Sequence, residues 1–249
     1  MTQIDLFIVT CAVFMLACCA EGQEPRKLTS ANTSPAVWGV LELPHIPGPH
    51  PAVIILHGSR GWRAEYAQLA RVLADSGFVT LALSHFVETA GDTSPARAPQ
   101  RWRTWQNTVR NAVTYLQSCP SMKGQPVGLV GFSHGAFLAI SVASSIVGVN
   151  AVVDYYGGIN TSATSLEDQL RNFPPLLIFH GDADTLVPVS SAYFLKEAIE
   201  RQSGQVELHI YPGASHAFNS KVYPSYSDSL ANDSYRLTID FLRRHLTKQ

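Results

Sequence analysis

Cysteine is scarce in this chain and poorly placed for disulfides. Of four in 249 residues, Cys11, Cys18 and Cys19 crowd into the first twenty positions, and the body keeps Cys119. No disulfide framework is therefore available to the body. The sequence has no CxxC and no paired Cys/His spacing, so no metal site is expected. Charge is scarce as well: 15% of residues are charged, and eighteen Lys and Arg face nineteen Asp and Glu for a net charge of -1. That balance offers no basic footprint for nucleic acid and no acidic tail. Internal repeats, heptads and low-complexity blocks are missing. With 46% apolar residues, the chain is too apolar for disorder, and its length suits one domain.

A membrane-length hydrophobic run is also missing. The apolar, uncharged run Leu6–Ala20 has fifteen residues, short of the ~20 that span a bilayer. It reads as the core of a secretory signal, although the preceding Met1–Asp5 carries no Lys or Arg. Met15-Leu16-Ala17-Cys18 resembles a bacterial lipoprotein box, in which Cys18 is lipidated after cleavage. Cys18-Cys19-Ala20 reads equally as a small-residue cleavage site. The expectation is a leader over residues 1–20, a polar tether over 21–36 and one domain over 37–249. The protein is then exported (periplasmic, lipid-anchored through Cys18 or secreted), and cytoplasmic if the leader is not used.

What is present is an alternation of strands and helices. Val37–Leu43, Ala52–Leu56, Val79–Leu83, Val127–Val130, Ala151–Tyr155, Leu176–His180 and Val206–Tyr211 read as strands. Glu65–Asp75, Trp102–Leu116, His134–Ser145, Ser190–Arg201 and Leu230–Leu246 read as helices. AVIIL at Ala52–Leu56 is apolar throughout, as in a strand covered on both faces. The pattern predicts an α/β fold: a mostly parallel sheet with helices on both faces. Right-handed crossovers then gather the loops after successive strands on one edge.

Three residues at predicted strand ends carry chemistry. Gly131-Phe132-Ser133-His134-Gly135 is a G-x-S-x-G between the strand VGLV and the helix AFLAISVASS. That is the strand–turn–helix setting of a nucleophile elbow, in which crowding of the backbone requires glycine at both flanks. A serine hydroxyl needs a base, and His216, after the strand VELHIY, is the candidate. The base needs an orienting acid. Asp184 fits, in His180-Gly181-Asp182-Ala183-Asp184-Thr185-Leu186-Val187-Pro188, and is preferred to Asp182, which reads as a turn cap. Acyl transfer also needs donors for the oxyanion. The backbone N–H groups of His134 and of Ser59, in His57-Gly58-Ser59-Arg60-Gly61, are expected to supply them, with His57 pinning the loop.

These motifs resemble those of α/β-hydrolases of the dienelactone hydrolase-like group. The resemblance runs from about Val37 to Leu246 and rests on HGSRG, GFSHGA, DYYGG, HGDADTLVP and GASHAF. It implies the α/β-hydrolase fold with no large cap domain, and the triad order Ser, Asp, His. The sequence departs from true dienelactone hydrolases, in which a cysteine is the nucleophile and a glutamate stands in the early loop. Ser133 and Gly58 occupy those positions here, and the family's carboxylate-binding arginine after the histidine is not evident. The expected activity is hydrolysis of a small-molecule carboxylic ester by a serine enzyme with no cofactor. Lactone hydrolysis and peptidase activity of the prolyl-oligopeptidase type are the alternatives, with a non-catalytic binding protein as the alternative of another class. Substrate contacts are expected from Arg60, Trp62 and Tyr155. Further candidates are Arg63, Trp102, Trp105, Arg101, Arg103, Tyr156, and Arg97 in the irregular stretch 86–101.

Overall fold

The computed structural model describes residues 26–28, 37–86, 98–119, 122, 124–159 and 166–247. The leader (with Cys18), most of the tether, and most of the stretch 86–101 (with Arg97) lie outside the described residues. Eight strands form one sheet in the order β1-β2-β4-β3-β5-β6-β7-β8. They are β1 (Arg26–Leu28), β2 (Val37–Glu42), β3 (Ala52–Leu56), β4 (Val79–Leu83), β5 (Val127–Phe132), β6 (Val149–Tyr155), β7 (Leu176–Gly181) and β8 (Val206–Tyr211). β1–β2 and β2–β4 pair antiparallel, and every other neighbouring pair is parallel. Within the stretch 21–36, β1 lies along β2: Arg26 pairs with Gly39 and Leu28 with Val37.

Period-two alternation sorts the buried strand residues onto two faces. Ala52, Ile54 and Leu56 of β3 join one apolar cluster, while Val53 and Ile55 join the other. The first cluster includes residues of α2 (Ala98–Ser118), α3 (His134–Ala143) and α5 (Ser190–Arg201). The second includes residues of α1 (Ala64–Asp75) and α6 (Asp228–Leu246). A short helix, α4 (Leu166–Leu170), precedes β7. Both faces of β3, β4, β5 and β7 are therefore buried and covered, whereas the edge strand β8 is only half-buried.

Helix ends follow local chemistry. α1 stops at Ser76-Gly77, where Gly77 has φ +101° and Phe78 N–H returns to Leu73 O at 3.2 Å. Glycine takes that left-handed turn without a Cβ penalty. α6 is capped by Ser227, whose hydroxyl accepts from Leu230 N–H at 3.5 Å, and its last turn carries Arg243, Arg244 and His245 against the negative end of the dipole. β3 lies between β4 and β5, so the chain reverses its progress across the sheet there. Ligand sites of open α/β sheets form at the carboxyl ends of strands at such a switch point. No second domain caps that edge among the described residues.

Candidate active site

Ser133 sits directly beyond β5 and opens α3, with φ +50° and ψ -116°. A non-glycine residue rarely adopts positive φ, and such strain concentrates at functional positions. The flanking glycines make the turn possible. A Cβ at Gly131 would lie 2.4 Å from Ala136 Cα, and one at Gly135 would lie 2.2 Å from Leu56 O. Any side chain at either position would push the elbow off the sheet.

His216 and Asp184 meet at this serine. Ser133 Oγ donates to His216 Nε2 at 2.9 Å. The opposite ring nitrogen, Nδ1, donates to Asp184 Oδ2 at 2.6 Å. Asp184 Oδ1 accepts from the N–H groups of Leu186 at 2.8 Å and Val187 at 2.9 Å. Burial pushes the Asp184 carboxyl up, but the His216 hydrogen bond and those two N–H groups outweigh it and hold the group below the usual carboxylate range. The charge needed opposite an imidazolium is thus maintained. His180 closes the same loop from beneath: its Nε2–H donates to Val187 O at 2.8 Å, and the residue is fully buried. Asp182 is exposed and accepts from Gly213 N–H at 2.6 Å. It therefore ties two loops together and does not touch the imidazole.

The segments that carry the two expected oxyanion donors adjoin the serine. His134 is the first residue of α3. The HGS loop lies against the elbow: a Cβ at Gly58 would be 3.8 Å from Ser133 Cβ. Gly58 N–H is taken by the Tyr66 hydroxyl at 3.1 Å. Among the described residues, neither Ser59 N–H nor His134 N–H bonds a backbone carbonyl outside the regular elements.

Three histidine rings stack behind this edge. His57 and His85 lie 3.8 Å apart at 12°, and His85 and His134 lie 5.9 Å apart at 6°. Burial lowers all three, His57 and His134 to about 4, so the rings are neutral at neutral pH. Stacked parallel rings do not converge on one point, and among the described residues no three His, Cys, Asp or Glu side chains form a metal-ligand cluster.

The expected substrate contacts fare unevenly. Arg60 is exposed, and its guanidinium lies 4.8 Å from the Tyr223 ring centre; Arg63 lies 5.6 Å from the same ring. Trp62 is half-buried, packs against the α1/α6-side cluster and has an indole N–H without a partner among the described residues. Trp102 and Trp105 pack on the other cluster and present edges to His134 at 5.4 and 4.9 Å. Arg101 is half-buried and Arg103 exposed on the first turns of α2. Tyr155 is corrected. It is fully buried, and its hydroxyl bonds Thr238 Oγ1 at 2.7 Å. As the last residue of β6 it faces α6, whereas Tyr156, one residue on, stands 4.7 Å from the His216 ring. Tyr66, His85 and Asn219 lie in no motif that the sequence offers.

Comparison with known proteins matches the chain to a family. The chain is 27% identical over 219 residues to a Bradyrhizobium sp protein named probable 2-oxo-3-(5-oxofuran-2-ylidene)propanoate lactonase, covering 83% of this chain and 88% of that protein. It is 33% identical over 141 residues to human acyl-coenzyme A thioesterase 1. That match covers 56% of this chain and 31% of the thioesterase, so the chain spans about a third of that relative's length. The structure of dienelactone hydrolase from Anabaena variabilis superposes with a TM-score of 0.70 at 20% identity, over 90% of this chain and 99% of that one. The model of the dienelactone hydrolase family matches residues 37–246, nearly the whole described domain, and the chain belongs to that family.

Proposed function

We propose that the protein is a serine hydrolase of carboxylic esters, with Ser133 as nucleophile, His216 as general base and Asp184 as its orienting acid. The observation that carries this reading is the continuous path from Ser133 Oγ to His216 Nε2 at 2.9 Å and from His216 Nδ1 to Asp184 Oδ2 at 2.6 Å. Ser133 Oγ attacks the ester carbonyl carbon as His216 Nε2 takes its proton. The carbonyl oxygen becomes an oxyanion held by the N–H groups of Ser59 and His134, each donor of this kind being worth roughly 3–4 kcal/mol in the transition state. The alcohol departs with the proton from His216 and leaves an acyl-serine. Water, deprotonated by the same imidazole, then releases the acid. Asp184 fixes the tautomer that leaves Nε2 free to accept.

A lactone is an internal ester and undergoes the same attack, except that the leaving alkoxide stays attached to the acyl group. The similarity to a lactonase over most of the chain favours lactones as a second substrate class. With p-nitrophenyl esters of increasing acyl length and a panel of lactones, Ser133→Ala should lower turnover by on the order of 10⁴-fold while the thermal melt stays in place. Full turnover by the purified variant would sink the assignment.

A further inference from the structure

We infer that Tyr156 and Asn219 are positioning residues for His216: a buried hydrogen bond that touches neither Ser133 nor Asp184 sets the alignment of the imidazole. The inference rests on the proposed role of His216 as the base. Tyr156 is the first residue beyond β6 and has φ +44°, a conformation that a bulky residue rarely adopts. Its backbone N–H is anchored on Phe179 O at 2.8 Å. This turn carries the ring away from the path of Tyr155 and across the sheet edge. The ring centre lies 4.7 Å from that of His216 at 62°, and 5.5 Å from that of Phe218 at 79°. Its hydroxyl donates to Asn219 Oδ1 at 2.7 Å.

Asn219 lies three residues beyond His216 in the same loop, so Tyr156 touches the base and also ties down the segment that carries it. The amide is fixed from its other side. Asn219 Nδ2 donates to the Tyr235 hydroxyl at 3.4 Å, and that hydroxyl donates to the Asn219 carbonyl at 3.3 Å. Tyr156 and Asn219 are 3% and 4% exposed, so water does not compete for the bond. Burial holds the Tyr156 phenol well above its usual range, which makes it a neutral donor and keeps it out of proton transfer. Beside the pair lies only a small recess, with room for about one water, bordered by Glu65, Tyr66, Phe132, Tyr156, Asn219 and Tyr235. Small displacements of a reacting group are expensive: about 1 Å of misplacement costs on the order of 100-fold in rate.

The test uses the full chain and the variants Tyr156→Phe, Tyr156→Leu, Asn219→Ala and the double variant Tyr156→Phe/Asn219→Ala. Three quantities are read on each: kcat and KM on one p-nitrophenyl ester, the rate of Ser133 labelling by a fluorophosphonate, and the far-downfield proton resonance of the His216–Asp184 hydrogen bond. Tyr156→Phe should lower kcat and the labelling rate by roughly tenfold with KM nearly unchanged, and should broaden the downfield resonance. Tyr156→Leu should lose more. Asn219→Ala should lose at least as much as Tyr156→Phe, because it also removes the bond from Nδ2 to Tyr235, and the double variant should be no worse than Asn219→Ala, because the Tyr156–Asn219 bond is lost only once. Wild-type kcat in Tyr156→Phe and Asn219→Ala would overturn the inference, as would losses that multiply in the double variant. A fall in activity that only follows the fraction folded, with the downfield resonance intact, would overturn it too. If the wild type neither hydrolyses esters nor is labelled at Ser133, the role of His216 is wrong and the inference falls with it.

Discussion

Two aspartates two residues apart do different work, and their hydrogen bonds separate them. Asp184 gives one oxygen to His216 and the other to two backbone N–H groups. Asp182 gives one oxygen to Gly213 N–H on the neighbouring loop. Asp184→Asn should present an amide to the imidazole, favour the wrong tautomer and lower kcat by about 10⁴-fold. Asp182→Asn keeps an oxygen for Gly213 and should change kcat by less than about tenfold, since no group at the serine loses a partner. Steady-state kinetics on one ester decides the ranking, and the reverse order would move the acid to Asp182. The preference for Asp184 was legible in sequence because the motif fixes which residue clears the strand end. The Tyr155–Tyr156 pair was not legible in the same way. Both follow an apolar strand, and the choice between them depends on where β6 ends and on the positive φ of Tyr156, which a residue string does not encode.

At the scale of elements, the buried strands announce themselves by their apolar runs, and β3, β4 and β8 have the boundaries expected from sequence. β1 did not announce itself: Arg-Lys-Leu is three residues long and polar, and only its pairing with β2 makes it a strand. α2 begins at Ala98, four residues before the helix expected at Trp102. Pro99 in the expected loop is compatible with a helix because the first turn has no use for its missing N–H. α4 is too short to show a period. β6 carries a further buried group. Asp154 is fully buried, its Oδ1 accepts from Gly157 N–H at 2.7 Å, and its Oδ2 has no partner among the described residues. Burial, opposed only by that hydrogen bond, raises the carboxyl from 3.8 to about 7. Between those values the folded chain keeps a proton that the unfolded chain has released, so the group's contribution to stability is full below 3.8 and is lost as pH rises towards 7. The loss amounts to a few kcal/mol. Asp154→Asn should remove this dependence, so that urea unfolding shows the variant gaining on the wild type between roughly pH 5 and pH 7. Parallel stability curves for the two proteins would show that Asp154 is ionised in the folded state.

Over the whole molecule, the sheet order brings the loops after β3, β5, β6, β7 and β8 to one edge. The residues of the site come from five separate stretches of sequence, none of which could act alone. This convergence follows from parallel βα topology and was expected from the strand–helix alternation. The stack of His57, His85 and His134 was not, because it depends on β4 lying beside β3. The leader is a separate matter. We propose that residues 1–20 direct export and that the mature chain begins near residues 18–21, since Leu6–Ala20 is apolar and the family match starts only at residue 37. Intact mass of the protein from its own host tests this. A shortened chain, with or without a lipid-sized increment on Cys18, is expected; a full-length chain of 249 residues in the cytoplasmic fraction would refute export.

Covalent labelling reads whether Ser133 is an activated nucleophile without knowledge of the natural ester. A fluorophosphonate reacts with a serine whose proton a neighbouring base can take, and leaves unactivated serines alone. Peptide mapping by mass spectrometry should place one adduct, on Ser133, in the wild type and in Asp182→Asn, and none in Ser133→Ala or His216→Ala. An unlabelled wild-type chain, or an adduct on any serine other than Ser133, would contradict the account.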